Sequence, residues 1–184
     1  THRSWWSFSI GRSETRLVCQ APKEAIFVCE YESYPMARGD VVISPAWTFH
    51  DHWNLGSTPA IWIDGYDNGY NPNVHINERL PNDAPYEEIK KPAGYGQRTL
   101  GHARRISDGA PFPLPQMCYP WKDTEAALAA MREAGESDPY DGILLMLASP
   151  VDGGPTLPTI AWQAQLLSAR QKTLPHRHNS TTFY

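Results

Sequence analysis

Two histidines, His50 and His52, are separated by one residue in the segment GDVVISPAWTFHDHWN, which covers residues 39 to 54. Because side chains at positions i and i+2 of a strand share one face, both imidazoles can look into one cavity while Asp51 turns away. Two imidazoles aimed at one point suit a non-haem metal site or acid–base chemistry. The alternative is a chance HxH sequence on a solvated strand.

Short apolar runs separated by turn residues surround this segment. Runs at 27–28, 41–43 and 60–63 are rich in β-branched and aromatic residues, and each predicts a strand. Further along, 142–148 and 159–167 predict two more strands, the second with apolar and glutamine side chains in alternation. The 17 prolines and 13 glycines also favour a β-protein with many turns over a helical one.

A single helix is predicted from about residue 124 to residue 135. Asp123 or Thr124 can cap its start, and Gly135 stands at its end. The apolar face of this helix would be formed by Ala127, Leu128 and Met131.

Composition excludes several classes of function. The chain has 41% hydrophobic residues, a formal charge of −4 and no apolar run long enough to cross a bilayer. The mild acidity argues against a nucleic-acid partner, since phosphate binding needs clustered Lys and Arg. Cys19, Cys29 and Cys118 form no paired framework and no signal peptide is visible, so we expect structural thiols in a soluble, cytoplasmic protein.

The order of Gly39, Pro45, His50 and Asn54 resembles the second conserved motif of the cupin superfamily, with Trp47 in place of one expected glycine. The HDHWN block and the IWIDG block that follows it resemble a narrower group, the ring-cleaving dioxygenases of aromatic acids. These include the gentisate 1,2-dioxygenases and the enzymes acting on salicylate and 1-hydroxy-2-naphthoate. The likeness extends from about residue 36 to residue 184.

The resemblance implies a mainly β fold, the cupin jelly roll, in a partial bicupin arrangement. Residues 1–70 would form the C-terminal part of a first cupin domain, 71–155 an inter-domain linker that contains the helix, and 156–184 the start of a second cupin domain. The chain lacks an initiating Met and stops at Tyr184, so we expect a fragment of a longer protein.

The resemblance also implies roles for single residues. Family members bind iron through two histidines of an early HRH motif and the first histidine of HDH, which makes His50 the metal ligand. His52 then contacts the substrate and acts as an acid or base, and Asp64 orients a neighbour by hydrogen bonding. Arg16 matches the arginine that grips the substrate carboxylate as a bidentate fork, although an exposed surface arginine remains the alternative.

The chain departs from this pattern upstream of the β-rich segment 39–54. The two HRH ligands would fall near Phe8 and Ile10, and neither side chain can bind a metal.

A second histidine pair lies near the C-terminus. His176 and His178 resemble the HxH of a first cupin motif, which would belong to the second domain.

The implied function is an Fe(II)-dependent, extradiol-type ring-cleaving dioxygenase. Its partners would be O2 and a small aromatic hydroxy acid such as gentisate, and family members are typically homotetramers. Two alternatives stay open: a non-catalytic cupin that serves as a binding module, and another metal-dependent cupin such as an isomerase or hydrolase.

Overall fold

The computed structural model describes residues 7–9, 14–45, 48–66, 77–78, 86–96, 118–150 and 152–184, with backbone alone for 7–9 and 77–78. These ranges contain eleven strands and one helix, α1. The elements are β1 Ser7–Ser9, β2 Glu14–Gln20, β3 Ala25–Cys29, β4 Glu32–Pro35, β5 Val41–Ser44, β6 Phe49–Asn54, β7 Ile61–Tyr66, β8 Asn77–Glu78, β9 Cys118–Tyr119, α1 Trp121–Glu133, β10 Ile143–Met146 and β11 Gln163–Leu166.

The strands form two larger sheets and one hairpin. The first sheet has the order β4-β3-β6-β1-β8 and the second the order β7-β2-β5-β9, while β10 pairs with β11. Neighbouring strands in all three run antiparallel. The strands predicted from the sequence are therefore confirmed, and the HDH block lies on β6 at the centre of the first sheet.

A shared apolar core joins the two larger sheets. The first sheet and the turn after β4 contribute Ala25, Phe27, Cys29, Tyr34 and Met36, and the second sheet contributes Val18, Val42 and Cys118. The outer face of the second sheet is also covered, by a cluster that contains Val41, Ile43, Tyr119 and Leu157. Because both of its faces are covered, β5 is buried at every position, which explains its continuous apolar run.

The three cysteines are free thiols. Cys29 and Cys118 are buried, and burial raises the pKa of both thiols, that of Cys118 to about 12. The expectation of structural thiols is confirmed for these two residues, while Cys19 is partly buried.

The helix begins earlier than predicted. It starts at Trp121, after Pro120 at the N-cap position, and no side chain caps it locally, so the predicted caps Asp123 and Thr124 are wrong. The first free N–H of the helix instead finds a partner far away in the sequence: the backbone N–H of Trp121 donates to Asp40 Oδ1 at 2.8 Å. A tertiary contact thus replaces the local cap.

The end of the helix agrees more closely with the prediction. Gly135 has φ 75°, its N–H donates to the carbonyl of Arg132, and the N–H of Glu136 donates to the carbonyl of Met131. This is the Schellman pattern of a glycine-terminated helix. Of the predicted apolar face, Leu128 is the buried residue. The described part of the chain contains no helix with the length and apolarity that a membrane crossing requires.

Two segments of the predicted linker join sheets. Strand β9 extends the second sheet by pairing with β5, and β10 pairs with β11, which lies in the predicted second domain. Along β11, half-buried Trp162, Ala164 and Leu166 alternate with exposed glutamines, as predicted. The division into a linker between 71 and 155 and a second domain from 156 stays a prediction.

Candidate active site

His50 lies on β6 and faces β2 across the core. Its side chain is 1% exposed, and its Nε2 lies 3.3 Å from Arg16 Nη2 and 3.4 Å from Glu14 Oε2. Glu14 and Arg16 are alternate residues of β2, so the strand presents both side chains to the same interior. The result is a buried cluster of an imidazole, a carboxylate and a guanidinium.

Nε2 of His50 lies between two oppositely charged groups. The guanidinium of Arg16 can only donate to this nitrogen, whereas the carboxylate of Glu14 can only accept from it. Burial is the main cause that lowers the pKa of His50, which keeps the ring neutral at neutral pH. A neutral imidazole is the form in which histidine binds a metal.

Arg16 is held on three sides. Nη1 donates to Ser44 Oγ at 2.6 Å, Nη2 donates to Glu14 Oε2 at 2.6 Å, and Nε lies 2.8 Å from Asp64 Oδ1. The residue is 3% exposed, so the alternative of an exposed surface arginine is wrong. Its guanidinium is a buried, positioned cation at the edge of the His50 pocket.

Aromatic rings enclose His52 on the same face of β6. Trp62 from β7 stacks on it with centroids 5.0 Å apart, and the ring of Phe27 lies 5.4 Å away. Nε2 of His52 is buried and has no hydrogen-bond partner among the described residues. Burial, with a smaller effect from Arg16, lowers the pKa of His52 well below its usual value, so the ring is neutral and one nitrogen is uncommitted.

Asp51, between the two histidines, points to the other face of β6. Its Oδ2 accepts a hydrogen bond from Trp53 Nε1 at 2.7 Å, and its Oδ1 accepts one from the backbone N–H of His52 at 2.7 Å. It is fully buried, and the structural role expected from the strand period agrees with these contacts.

The structure brings three predicted site residues, His50, His52 and Arg16, into one interior. The fourth, Asp64, is exposed, with its side chain at 28%, and contacts Arg16 from β7. Phe8, which takes one of the expected HRH positions, pairs through its backbone with Phe49, next to His50. Ile10 and Trp47 lie outside the described residues.

The second histidine pair forms a separate, exposed group. Nε2 of His176 lies 2.9 Å from Nε2 of His178 and 3.4 Å from Asp141 Oδ1, while the hydroxyl of Tyr184 is 3.2 Å from His178 Nε2.

Sequence reasoning missed Glu14. Its side chain is 5% exposed and contacts both Arg16 and His50. The signal was present, because a residue two positions before Arg16 on a strand must share its face.

The donor set can be tested against a metal ion. Within the described ranges, no group of three or more His, Cys, Asp and Glu side chains is arranged to hold one. His50 Nε2 and Glu14 Oε2 nevertheless point at the same guanidinium nitrogen, and a neutral imidazole and a carboxylate are donors that divalent iron accepts. These two residues fit part of a metal site.

Comparisons with curated proteins identify relatives of one kind. No family model matches the chain. The chain is 34% identical over 155 residues to 5-aminosalicylate 1,2-dioxygenase of Comamonas sp., covering 83% of this chain and 41% of the relative. It is 31% identical to gentisate 1,2-dioxygenase of Haloferax sp., and this match covers 95% of this chain and 52% of the relative. It is 30% identical to 1-hydroxy-2-naphthoate 1,2-dioxygenase of Nocardioides sp. (strain KP7), and this match covers 96% of this chain and 46% of the relative.

Solved structures agree on the fold. Salicylate 1,2-dioxygenase of Pseudaminobacter salicylatoxidans matches with a TM-score of 0.67 at 22% identity, covering 87% of this chain and 48% of that one. A structure of that enzyme as an adduct with gentisate matches with a TM-score of 0.65. The predicted mainly β cupin fold is thereby confirmed, and the chain spans about half the length of the relatives it matches. Sequence and fold together place this chain in the family of the gentisate, salicylate and 1-hydroxy-2-naphthoate 1,2-dioxygenases.

Proposed function

We propose that this chain forms the metal-binding part of an Fe(II)-dependent, extradiol-type dioxygenase that cleaves the ring of a hydroxylated aromatic carboxylate such as gentisate. The observation that carries the proposal is the buried cluster in which Arg16, His50 and His52 meet between the two sheets. The relatives support it, since each is named for an aromatic acid that carries a hydroxyl beside its carboxylate.

His50 would hold the iron through Nε2. Its Nε2 faces the interior beside Glu14 and Arg16, and its ring is buried in the core. Iron, when bound, supplies the redox chemistry that allows dioxygen to react with an aromatic ring.

Arg16 would bind the substrate carboxylate. A planar guanidinium is the side chain best matched to a carboxylate, and burial strengthens the interaction because little water competes. Asp64 lies opposite Arg16 in the register of β2 and β7 and fixes the Nε side of the guanidinium. We therefore assign Asp64 to positioning Arg16.

His52 would handle a proton at Nε2. This nitrogen is buried, has no partner among the described residues and belongs to a ring that is neutral at neutral pH. A hydroxyl group of the aromatic acid can donate to it or accept from it. The stack on Trp62 holds the imidazole plane in place while it does so.

The wider setting is part of the proposal. We place the protein in the cytoplasm as a homo-oligomer, a tetramer in its full-length form, with an aromatic hydroxy acid and O2 as its small-molecule partners.

The test is reconstitution and turnover. The purified chain is loaded with Fe(II) without oxygen, mixed with gentisate, salicylate, 5-aminosalicylate or 1-hydroxy-2-naphthoate, and then given air-saturated buffer. We expect oxygen uptake matched by the ultraviolet absorption of a ring-opened product, and neither signal from the His50→Ala variant. Iron that binds without any turnover of the four acids would instead support a binding module.

A further inference from the structure

Arg16 has few N–H groups left for a ligand. Of the five N–H donors of a guanidinium, both on Nη2 face Glu14 and His50, one on Nη1 bonds Ser44, and that on Nε faces Asp64. Among the described residues, the second N–H of Nη1 has no assigned partner, and the N–H of Nε has no hydrogen bond although its nitrogen lies 2.8 Å from Asp64 Oδ1. These two donors are not adjacent on the guanidinium. Bidentate binding of a carboxylate needs two adjacent donors, so in this arrangement Arg16 cannot form one.

Glu14 occupies the Nη2 side of Arg16 and so prevents bidentate binding of another carboxylate. Its Oε2 lies 2.6 Å from Nη2 of Arg16, the distance of a strong charge-assisted hydrogen bond, and its side chain is 5% exposed. A carboxylate therefore already occupies the position that an aromatic carboxylate would take. Asp64 pairs with Nε on another side and leaves the Nη2 side to Glu14.

The same carboxylate also lies next to His50. Glu14 Oε2 is 3.4 Å from His50 Nε2, so a divalent cation bound at this imidazole nitrogen would attract Glu14 as well. Arg16 and such a cation thus compete for one carboxylate. The charges around Arg16 favour the cation, because buried Glu14 and the more exposed Asp64 carry two negative charges against the single positive charge of Arg16.

We propose that Glu14 is an internal competitor of the substrate: its carboxylate blocks Arg16 in the metal-free protein, and a divalent cation bound beside His50 draws it away and frees Arg16 for the aromatic acid. Metal and aromatic acid then bind cooperatively, with Glu14 as the link. This inference rests on the proposed role of Arg16 as the carboxylate-binding residue.

The first test needs neither iron nor turnover. Benzoate, an aromatic carboxylate without a hydroxyl, is titrated calorimetrically into the metal-free chain and into the variant Glu14→Gln, which keeps the shape of the side chain and removes its charge. We expect the variant to bind benzoate on the order of tenfold more tightly, because a charge-assisted contact no longer has to be broken. Equal or weaker binding would overturn the proposal.

The second test measures the coupling. Zn(II), which has no redox chemistry, is added before benzoate, and its effect on benzoate affinity is compared between the two proteins. A larger gain in the unmodified chain than in Glu14→Gln supports the link, and an equal gain overturns it, since direct contact between zinc and benzoate would act alike in both. Glu125→Gln removes a carboxylate from the exposed face of α1 and serves as the charge-matched control.

Folding of the variant is checked by circular dichroism. If Glu14→Gln does not fold, Glu14→Asp replaces it, because a shorter side chain withdraws the same charge from Arg16. We expect it to bind metal-free benzoate more tightly than the unmodified chain, and unchanged affinity would refute the competition. Failure of the chain to cleave aromatic acids would contradict the proposed function alone, since the benzoate measurements still decide the role of Glu14.

Discussion

The indole of Trp62 and the imidazole of His52 are stacked, with centroids 5.0 Å apart and ring planes inclined by 19°. Trp62 belongs to β7 and His52 to β6, so the stack joins the two sheets at the edge of the pocket. Phe27 contacts the same imidazole from the first sheet. The orientation of His52 is therefore set by packing, and its buried Nε2 remains available for chemistry.

His52→Ala is expected to separate metal binding from turnover. The proposed metal ligand His50 is untouched, so iron content should stay close to that of the unmodified chain, while loss of the proposed proton-handling group is expected to lower kcat by about 10²- to 10⁴-fold. Iron is measured with a chromogenic chelator and turnover by oxygen uptake. The variant Glu125→Gln, on the exposed face of α1, is the control. Full turnover by His52→Ala would remove this residue from the mechanism.

A double-mutant cycle tests the buried charge cluster. Arg16→Gln leaves Glu14 and Asp64 without their cation, which is expected to lower the free energy of unfolding by about 3–5 kcal/mol. Adding Glu14→Gln removes one of the two stranded carboxylates, so the double variant should be more stable than Arg16→Gln alone. Urea unfolding of the four proteins measures the coupling. Strictly additive effects would mean that the two side chains do not interact.

Local periodicity predicted part of the site and could not predict the rest. The placement of His50 and His52 on one face follows from the strand repeat alone. The strand repeat does not predict that Arg16 is the partner of Asp64. Their contact depends on how β7 pairs with β2, which sets the two residues opposite each other. The start of the helix likewise depends on Asp40, which accepts the N–H of Trp121 from 81 residues away.

Gly39 is expected to tolerate no side chain. Its φ is +89°, and a Cβ there would lie 2.6 Å from Cγ of Trp121. Gly39→Ala therefore combines backbone strain with a clash against the first residue of α1, and we expect a loss of about 2–4 kcal/mol. Gly153→Ala is the matched control, because Gly153 has φ +74° with nothing within 4 Å of the added Cβ. Equal losses in the two variants, measured by thermal or urea unfolding, would show that Trp121 moves aside.

Glu87 makes stability depend on pH. The residue is 1% exposed, its Oε1 accepts the N–H of Tyr31, and burial, opposed by that hydrogen bond, raises its pKa from 4.5 to about 7. Between these two values the folded state holds a proton that the unfolded state has released, so stability falls as pH rises from 4.5 to 7 and then levels off.

Glu87→Gln cannot ionise, and we expect its stability relative to the unmodified chain to rise by on the order of 1–2 kcal/mol between pH 5 and pH 8, allowing for solvent screening. Urea unfolding at both pH values checks this, with the exposed neighbour Glu88→Gln as control. A stability difference between Glu87→Gln and the unmodified chain that is the same at pH 5 and pH 8 would show that the carboxyl is ionised in the folded protein throughout.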